Sequence, residues 1–302
     1  MHKIKAWLNA ARLRTLPLSI SGIIVGASLA SYYGYSNYLI FIIALFTTVG
    51  FQITSNFAND YGDGVKGTDN EDRIGPKRAL QAGLLTRKEL KNGIIISVII
   101  NLILVIILLY FSFGVEKIGL SLFFLSLGIF SIWAAIKYTV GSSAYGYKGF
   151  GDIFVFLFFG LVSVLGTLFL FTKFITPMAI LPAISIGTLS VGVLNLNNLR
   201  DAISDKKAGK NTLIVKIGFN NGKIYHYVLI LIAFSAIAIF SIIHFKNWKQ
   251  LLFLVAFIPI LAHIKKVYQT NTPNALDPEL KKLAISTFLL AILFYFSFNI
   301  FL

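Results

Sequence analysis

The chain has 302 residues, of which 57% are hydrophobic and only 13% are charged, and its mean hydropathy is +0.80. This composition excludes an ordinary soluble domain and indicates a protein that is embedded in a lipid bilayer. Cysteine is absent, which excludes disulfides, and the four histidines are too scattered to predict zinc, haem or iron–sulfur binding. The net charge of +15 does not indicate nucleic acid, because the basic residues lie in short gaps between long apolar runs.

A helix needs about 20 apolar residues to cross the hydrocarbon core of a membrane. Nine segments approach that length, and they lie near 13–33, 38–61, 92–112, 117–137, 152–172, 177–199, 224–244, 247–266 and 281–301. The first is expected to be a retained span rather than a cleaved signal peptide, because eight more follow it. The sequence thus predicts an all-α, multi-pass bundle of nine transmembrane helices that forms a single domain over residues 1–302.

The distribution of Lys and Arg predicts the direction of these spans. With the N-terminus inside, the cytoplasmic gaps would be those near 62–91, 138–151, 200–223 and 267–280. The residues nearest the outside are then Lys117, Lys173, Lys246 and Lys249, which leaves 23 of the 27 Lys and Arg residues inside. Because such residues are retained in the cytoplasm during insertion, we expect a protein of the bacterial cytoplasmic (inner) membrane with its N-terminus inside.

Two polar clusters end two of the spans and repeat each other. The first contains Asn56, Asp60 and Asp63 followed by Gly67, and the second contains Asn197, Asp201 and Asp205 followed by Gly209. Residues three or four apart share a face of a helix, so each cluster is expected to present an amide and two carboxylates in one direction, with the helix ending at the glycine. The alternative is that they are solvated loop residues that balance nearby lysines, and the matching offsets argue against it.

The cost of placing these carboxylates in lipid predicts a cavity. An Asp at the bilayer centre costs about 2.5–3.5 kcal/mol on the insertion scale, so the four carboxylates must face a polar space. Asn197 follows Asn56 by 141 residues, or four spans. This spacing predicts two four-helix halves plus a ninth helix around a central cavity that faces the cytoplasm.

Carboxylate and amide oxygens suit Mg²⁺, a hard ion that binds a few carboxylates and completes its shell with phosphate oxygens and water. The two clusters are therefore expected to hold Mg²⁺ ions that bridge a diphosphate. Basic residues nearby would neutralise the remaining phosphate charge, and the candidates are Arg73, Lys77, Arg78 and Lys210. Such a site would stabilise a diphosphate as it leaves carbon.

Four stretches of the chain resemble the UbiA superfamily of intramembrane aromatic prenyltransferases. They are ARLRTLPLSISG at 11–22, QITSNFANDYGDGVKGTDNEDRIGPKRALQAG at 52–83, YGYKGFGDIFVFLFFGLVSVLGT at 145–167 and NLNNLRDAISDKKAGKNTL at 195–213. Within the superfamily the chain most resembles the menaquinone branch, whose acceptor is 1,4-dihydroxy-2-naphthoate. Gly67 and Asp69 are typical of that branch, whereas the 4-hydroxybenzoate branch usually has a further Asp at the position of Gly67.

The resemblance implies nine helices and a Mg²⁺–diphosphate shell made of both Asp-rich clusters. It also implies that Arg78, Lys148 and Lys210 lie near the diphosphate. In the implied reaction, a polyprenyl diphosphate loses diphosphate, the naphthoate ring attacks the allylic cation, and loss of CO₂ restores aromaticity. The implied partners are polyprenyl diphosphate, the aromatic acid and the lipid bilayer, and no obligate protein partner is predicted.

Several residues near the predicted cytoplasmic face are candidates for the acceptor pocket. Tyr138, Tyr145 and Tyr147 would shelter the cation with their ring faces, or else belong to the aromatic belt at the membrane interface. Arg14 would bind the carboxylate of the acceptor, or else anchor the topology. Gln52 is a further candidate for this pocket.

The residues leave three other functions open. The first is a prenyltransferase with a different acceptor, such as 4-hydroxybenzoate or haem. The second is a cation-coupled transporter, since repeats and intramembrane carboxylates also suit transport. A purely structural membrane protein is the third. The placement of the carboxylates at one surface, beside basic residues, argues against a transporter. No motif predicts the prenyl chain length, the group that moves the proton or the oligomeric state.

Overall fold

The computed structural model of the chain describes residues 2–71 and 74–300, and all regular structure in these ranges is helical. The α-helices in chain order are α1 (His2–Ala11), α2 (Leu16–Tyr32), α3 (Tyr38–Lys66), α4 (Arg87–Phe113), α5 (Ile118–Lys137), α6 (Gly151–Val155), α7 (Thr167–Thr172), α8 (Ile180–Lys207), α9 (Leu213–Ile217), α10 (Phe219–Ile243), α11 (Phe257–Gln269) and α12 (Asp277–Asn299). A π-helix (Phe156–Gly166) joins α6 to α7, and a 3-10 helix (Trp248–Ala256) leads into α11.

Nine helical segments in the described ranges are long and apolar enough to cross a membrane. They are Lys3–Tyr32, Tyr38–Lys66, Arg87–Phe113, Ile118–Lys137, Gly151–Thr172, Pro177–Lys207, Phe219–Ile243, Trp248–Gln269 and Pro273–Asn299. These segments follow the nine predicted spans in order. The predicted all-α, nine-helix membrane architecture is therefore confirmed for this part of the chain.

Both polar clusters lie inside helices that extend beyond the predicted spans. α3 continues to Lys66 and α8 to Lys207, past the predicted ends at 61 and 199. Hydropathy marks only the part of a helix that lies in hydrocarbon, whereas the backbone hydrogen bonds continue until a residue leaves the helical conformation. Gly67 does so at φ 74° and Gly209 at φ 72°, in the left-handed region that favours glycine. The helices thus end at or just before the predicted glycines.

The fifth membrane segment, residues 151–172, is not a uniform α-helix. Its middle is the π-helix, a rare form that is frequent at functional sites. Gly160 of this π-helix packs directly on the backbone of α8. A Cβ atom placed on Gly160 would lie 2.7 Å from the Cα atom of Gly187 and 2.8 Å from the carbonyl oxygen of Ala183. Small residues at such contacts let membrane helices approach closely.

The membrane helices pack in two groups around a central space. In the first half of the chain, α3, α4 and α5 pack together around Ile43, Val105 and Leu109. In the second half, α8, α10, α11 and α12 share a larger apolar core that includes Phe240 and Phe294. Helix α12 also packs along α2, so the last described helix lies next to the first membrane-spanning segment.

A separate apolar cluster fixes the segment between α3 and α4. Ala6 and Ala10 of α1 pack with Phe57 of α3 and with Leu85 and Leu90. The cluster holds the described part of this segment against the end of α3. Lys77 and Arg78, two of the basic residues that were predicted to bind diphosphate, are therefore carried by an anchored segment rather than by a loop without a core.

Replacing Gly160 with Ala is expected to lower the melting temperature of the protein in detergent, because the added methyl group must push the π-helix away from α8. Overpacking of this kind costs about 1–3 kcal/mol. Gly119 provides the matched control, since a Cβ atom placed there has no neighbour within 4 Å. Ala favours a helix over Gly by up to about 1 kcal/mol, so Gly119→Ala should be neutral or stabilising. Equal melting temperatures for the two variants would contradict the close contact.

Candidate active site

A polar cavity of about 340 Å³ lies between the ends of α3 and α8. Five carboxylates line it, namely those of Asp63, Asp69, Asp201, Asp205 and Asp277. Six basic residues line it as well, namely Arg12, Arg14, Arg78, Arg200, Lys210 and Lys281. Positive and negative charges are thus nearly balanced in this space. Three of the four carboxylates that were expected to face a polar cavity, those of Asp63, Asp201 and Asp205, line it.

The first cluster contributes to the polar cavity through Asp63 and through Asn59, which lies one helical turn earlier. Sequence reasoning missed Asn59. Asn59 precedes Asp63 by four residues, and Asn197 precedes Asp201 by four. The two amide–carboxylate pairs that face the cavity are therefore 138 residues apart (59 to 197), rather than the 141 of the predicted alignment.

Asn56 and Asp60 hold neighbouring segments and do not line the polar cavity. Asn56 is buried, and its Nδ2 donates a hydrogen bond to the carbonyl oxygen of Ala11 at 2.8 Å, which ties α3 to the end of α1. Asp60 is fully buried, and its carboxylate accepts hydrogen bonds from the N–H groups of Ala79 and Leu80 at 3.1 and 3.3 Å. This differs from the prediction that both point with Asp63 into one space, because the helical period turns them toward α1 and the segment that follows α3.

The carboxylate of Asp63 is held by a phenol. Tyr147 donates a hydrogen bond from Oη to Asp63 Oδ1 at 2.7 Å, and the same Oη lies 2.5 Å from Thr68 Oγ1. Burial, followed by the charge of Asp63, raises the pKa of Tyr147, so the phenol keeps its proton and remains a donor. The ammonium of Lys66 lies 3.7 Å from the centroid of the Tyr147 ring. Tyr147 therefore holds Asp63 and lines neither cavity, and the role of its ring as a cation shelter stays a prediction.

All three residues of the second cluster, Asn197, Asp201 and Asp205, line the polar cavity. Arg200, which sequence reasoning missed, connects two of them to the last helix. Its guanidinium donates to the two oxygens of Asp201 at 2.8 and 2.6 Å and to Asn197 Oδ1 at 2.9 Å. It also donates to Asp277 Oδ1 at 2.5 Å. Arg200 is only 2% exposed, so these charged hydrogen bonds lie almost entirely out of water.

Lys210 lies between the two clusters. Its ammonium is 4.0 Å from Asp63 Oδ2 and 3.7 Å from Asp205 Oδ1. Burial by itself would lower the pKa of Lys210, but the two carboxylates raise it above its ordinary value. Lys210 therefore stays positively charged at neutral pH. Its position agrees with the prediction that it belongs to the site.

The other predicted basic residues differ in their placement. Arg78 lines the polar cavity. The side chain of Lys77 is 65% exposed and pairs with Glu71 at 3.4 Å, and Lys148 is exposed as well. Neither lysine lines the cavity, because each points outward from its loop. Arg73 lies outside the described residues.

An apolar cavity of about 330 Å³ adjoins the polar one. The two cavities share Gln52, Asn59 and Tyr138 in their walls. From this junction the apolar cavity follows α3 as far as Ala44, a distance of about 22 Å at a rise of 1.5 Å per residue. Its remaining wall is mostly aliphatic and aromatic, with Phe124 at the far end. One molecule with a charged head and a long apolar tail could therefore bind with its head in the polar cavity and its tail in the apolar cavity.

Of the three predicted tyrosines, Tyr138 lies at this junction, and Tyr145 lies beside it with ring centroids 5.4 Å apart. Tyr138 lines both cavities, and burial raises the pKa of Tyr138 to about 12, so it is a neutral phenol. Tyr145 lines the apolar cavity and stacks on Phe154 with ring centroids 3.9 Å apart. The cation shelter stays a prediction for both tyrosines. Arg14, which was predicted for the acceptor pocket, lines the adjoining polar cavity.

The oxygen atoms of the polar cavity fit Mg²⁺ in combination with a phosphate ligand. Within residues 2–71 and 74–300, no group of three or more His, Cys, Asp or Glu residues could hold a metal ion by itself. The cavity instead presents separate carboxylates and amides on α3 and α8, which are Asn59, Asp63, Asn197, Asp201 and Asp205. Mg²⁺ is usually bound by one or two carboxylates and completes its shell with substrate phosphates.

Comparison with known proteins places the chain among membrane prenyltransferases. The UbiA prenyltransferase family matches residues 19–293. The chain is 43% identical to 1,4-dihydroxy-2-naphthoate octaprenyltransferase of Haemophilus influenzae, over 97% of this chain and 95% of that protein. It is 41% identical to the protein of the same name from Escherichia coli over the same shares of the two chains. The identity to the Mycobacterium tuberculosis protein of that name is 34% over 77% of each chain.

A solved structure has the same fold. It comes from work on digeranylgeranylglyceryl phosphate synthase in membranes, and it covers 99% of both chains with a TM-score of 0.62 and 20% identity. At this identity the similarity concerns the fold alone. The family match and the relatives of 41–43% identity cover nearly the whole chain. The chain therefore belongs to the UbiA prenyltransferase family.

Proposed function

We propose that the chain transfers an all-trans polyprenyl group from polyprenyl diphosphate to 1,4-dihydroxy-2-naphthoate in a Mg²⁺-dependent reaction that releases diphosphate and CO₂ and yields demethylmenaquinol. The observation that carries the proposal is the junction of a charged cavity with an apolar one at Gln52, Asn59 and Tyr138. The two cavities match the two ends of a polyprenyl diphosphate. The name shared by the relatives of 41–43% identity supports the choice of acceptor.

The polar cavity is proposed to bind the diphosphate and to stabilise it as it leaves. Mg²⁺, when bound, neutralises phosphate oxygens and makes diphosphate a better leaving group. The residues that would hold it are Asn59, Asp63, Asn197, Asp201 and Asp205. Lys210 and Arg78 add positive charge from fixed positions, Lys210 as a point charge and Arg78 by a planar pair of donors. Charges fixed in advance stabilise the negative charge that develops as the C–O bond breaks.

The junction of the cavities is proposed to shelter the carbon that loses the diphosphate. As the C–O bond breaks, this carbon gains positive charge, which the ring faces of Tyr138 and Tyr145 attract. The apolar wall excludes water, which would otherwise capture the cation. An electron pair of the acceptor ring forms the new C–C bond. Release of CO₂ leaves its bonding pair in the ring and restores aromaticity.

Arg12 and Arg14 are proposed to bind the carboxylate of the acceptor. Both line the polar cavity and lie in the short segment between α1 and α2, apart from both Asp-rich clusters. Arg12 has a φ of 50°, which is uncommon for a residue other than glycine. Residues held in such conformations are frequent at functional sites. A guanidinium pairs with a carboxylate through two parallel hydrogen bonds.

We place the site on the cytoplasmic side of a bacterial inner membrane. The polar cavity lies where the segments after α3 and α8 leave their helices, and the charge count assigns 23 of the 27 Lys and Arg residues to that side. Retention of basic residues in the cytoplasm gives the expected orientation. A substrate made in the cytoplasm would then reach the polar cavity directly.

In the presence of Mg²⁺, membranes that contain the chain should convert labelled polyprenyl diphosphate and 1,4-dihydroxy-2-naphthoate into a prenylated product that has lost CO₂. Product mass is the measurement, and membranes without the chain are the control. 4-Hydroxybenzoate, offered alone and in competition, tests the alternative acceptor. Prenylation of 4-hydroxybenzoate but not of 1,4-dihydroxy-2-naphthoate would contradict the proposed acceptor. Cation-coupled solute flux without prenyl transfer would contradict the enzyme class.

Asp63→Asn and Asp201→Asn should each reduce the rate of prenyl transfer by at least about 100-fold, because each removes a charge that faces the diphosphate. Asp60→Asn is the matched comparison. It keeps an acceptor for one of the two N–H groups that Asp60 binds, and it removes no oxygen that lines the cavity. We therefore expect a smaller loss and an unchanged Mg²⁺ requirement. Equal losses in initial-rate assays of all three, at equal amounts of inserted protein, would contradict this division of roles.

Chelation of divalent metal with EDTA should abolish prenyl transfer, and excess Mg²⁺ should restore it. The reason is that the described carboxylates do not form a closed protein site that would retain the metal. The rate of product formation before and after addition of Mg²⁺ is the measurement. Addition of Na⁺ at equal ionic strength controls for charge screening. A rate that resists EDTA would refute the metal requirement.

A further inference from the structure

We infer that Asp277, at the start of the last helix, is a positioning residue that sets the orientation of metal-binding oxygens on α8 by way of Arg200. The inference rests on the proposed function, since it concerns the oxygens that would hold Mg²⁺ and diphosphate. It assigns a part in the site to α12, a helix that carries neither Asp-rich cluster.

Arg200 links Asp277 to two residues of the second cluster. One terminal nitrogen of its guanidinium donates to Asp277 Oδ1 at 2.5 Å. Nε and the other terminal nitrogen donate to the two oxygens of Asp201 at 2.8 and 2.6 Å, and that second nitrogen also donates to Asn197 Oδ1 at 2.9 Å. The guanidinium is planar and rigid. The position of Asp277 therefore fixes the plane of the guanidinium and, through it, the directions of the Asp201 carboxylate and the Asn197 amide.

The direction of the Asp201 carboxylate matters for metal binding. Each carboxylate oxygen has two lone-pair positions, and the two hydrogen bonds from Arg200 use one on each oxygen. Asp201 lines the polar cavity, so the direction of its carboxylate sets where its oxygens would meet a cation there. Groups that hydrogen-bond to metal-binding carboxylates orient them, and loss of such a group typically costs about 10- to 100-fold in metal affinity or activity.

The start of α12 is held in place by a buried chain of polar contacts. Glu279 follows Asp277 by two residues and is 4% exposed. Its Oε2 lies 2.6 Å from Nδ1 of His263 on α11, and Nε2 of His263 lies 2.8 Å from Nε2 of His226 on α10. Both histidines are fully buried. Helices α10 and α11 thus fix the point of α12 from which Asp277 meets Arg200.

A positioning role differs in its consequences from a purely structural one. The side chain of Asp277 is 39% exposed and lies at the wall of the polar cavity, so its truncation leaves no deep void in the bundle. A structural contact would affect the melting temperature alone. A positioning contact would also change the affinity of the site for a divalent cation.

The test uses Mn²⁺ as a paramagnetic probe, bound to the purified full chain with inorganic pyrophosphate and without an acceptor. Asp277→Asn should weaken Mn²⁺ binding by about tenfold. The Mg²⁺ concentration for half-maximal prenyl transfer should rise to match, with a smaller change in kcat at saturating Mg²⁺. Asp277→Glu, which keeps the charge, should recover most of the affinity. Glu116→Gln is the control, since it removes one exposed carboxylate from the segment between α4 and α5.

The outcomes separate the inference from the proposed function. Wild-type Mn²⁺ affinity in Asp277→Asn, with or without a lower melting temperature, would overturn the positioning role. An equal loss in Asp277→Asn and Glu116→Gln would overturn it as well, because a general charge effect would then explain the loss. Failure of the wild-type chain to bind Mn²⁺ with pyrophosphate would refute the proposed metal site itself.

Discussion

The ammonium of Lys210, held between Asp63 and Asp205, joins the two Asp-rich clusters of the bundle. Carboxylates that face each other repel, and the repulsion grows as water is excluded. A buried cation between them removes the repulsion, and the two negative charges offset the cost of taking that cation out of water. The ends of α3 and α8 can therefore face each other across the polar cavity, and the rest of the site depends on this arrangement.

The same balance of charge extends through the site. Arg200 binds both oxygens of Asp201, and Tyr147 donates to Asp63. In the proposed reaction the incoming ligand carries charges of both signs, since diphosphate is negative and Mg²⁺ is positive. Such a complex can enter without leaving an unpaired charge in a poorly hydrated space. The positively charged side chains are already in place when the diphosphate begins to leave, so little reorganisation accompanies the chemistry.

Polar residues beside the site have two different uses. Asn56 and Asp60 bind the backbone of α1 and of the segment after α3, and so build the wall of the cavity. Asn59 and Asp63 face the cavity itself. On α8, Arg200 donates hydrogen bonds to Asn197 and Asp201 and links both to Asp277 of α12. An Asp-rich motif is therefore a mixture of ligand-facing and wall-building side chains.

The sequence by itself determined the nine spans, the helix ends near Gly67 and Gly209, and the clustering of carboxylates at those ends, because hydropathy, charge and glycine act locally along the chain. The tertiary structure alone decided which oxygens face the cavity. At about 100° per residue, small differences in register separate Asn59 from Asn56, and packing of α1 selects between them. Asp277 reaches Arg200 across 77 residues because α12 packs on α8, a contact that no local pattern encodes.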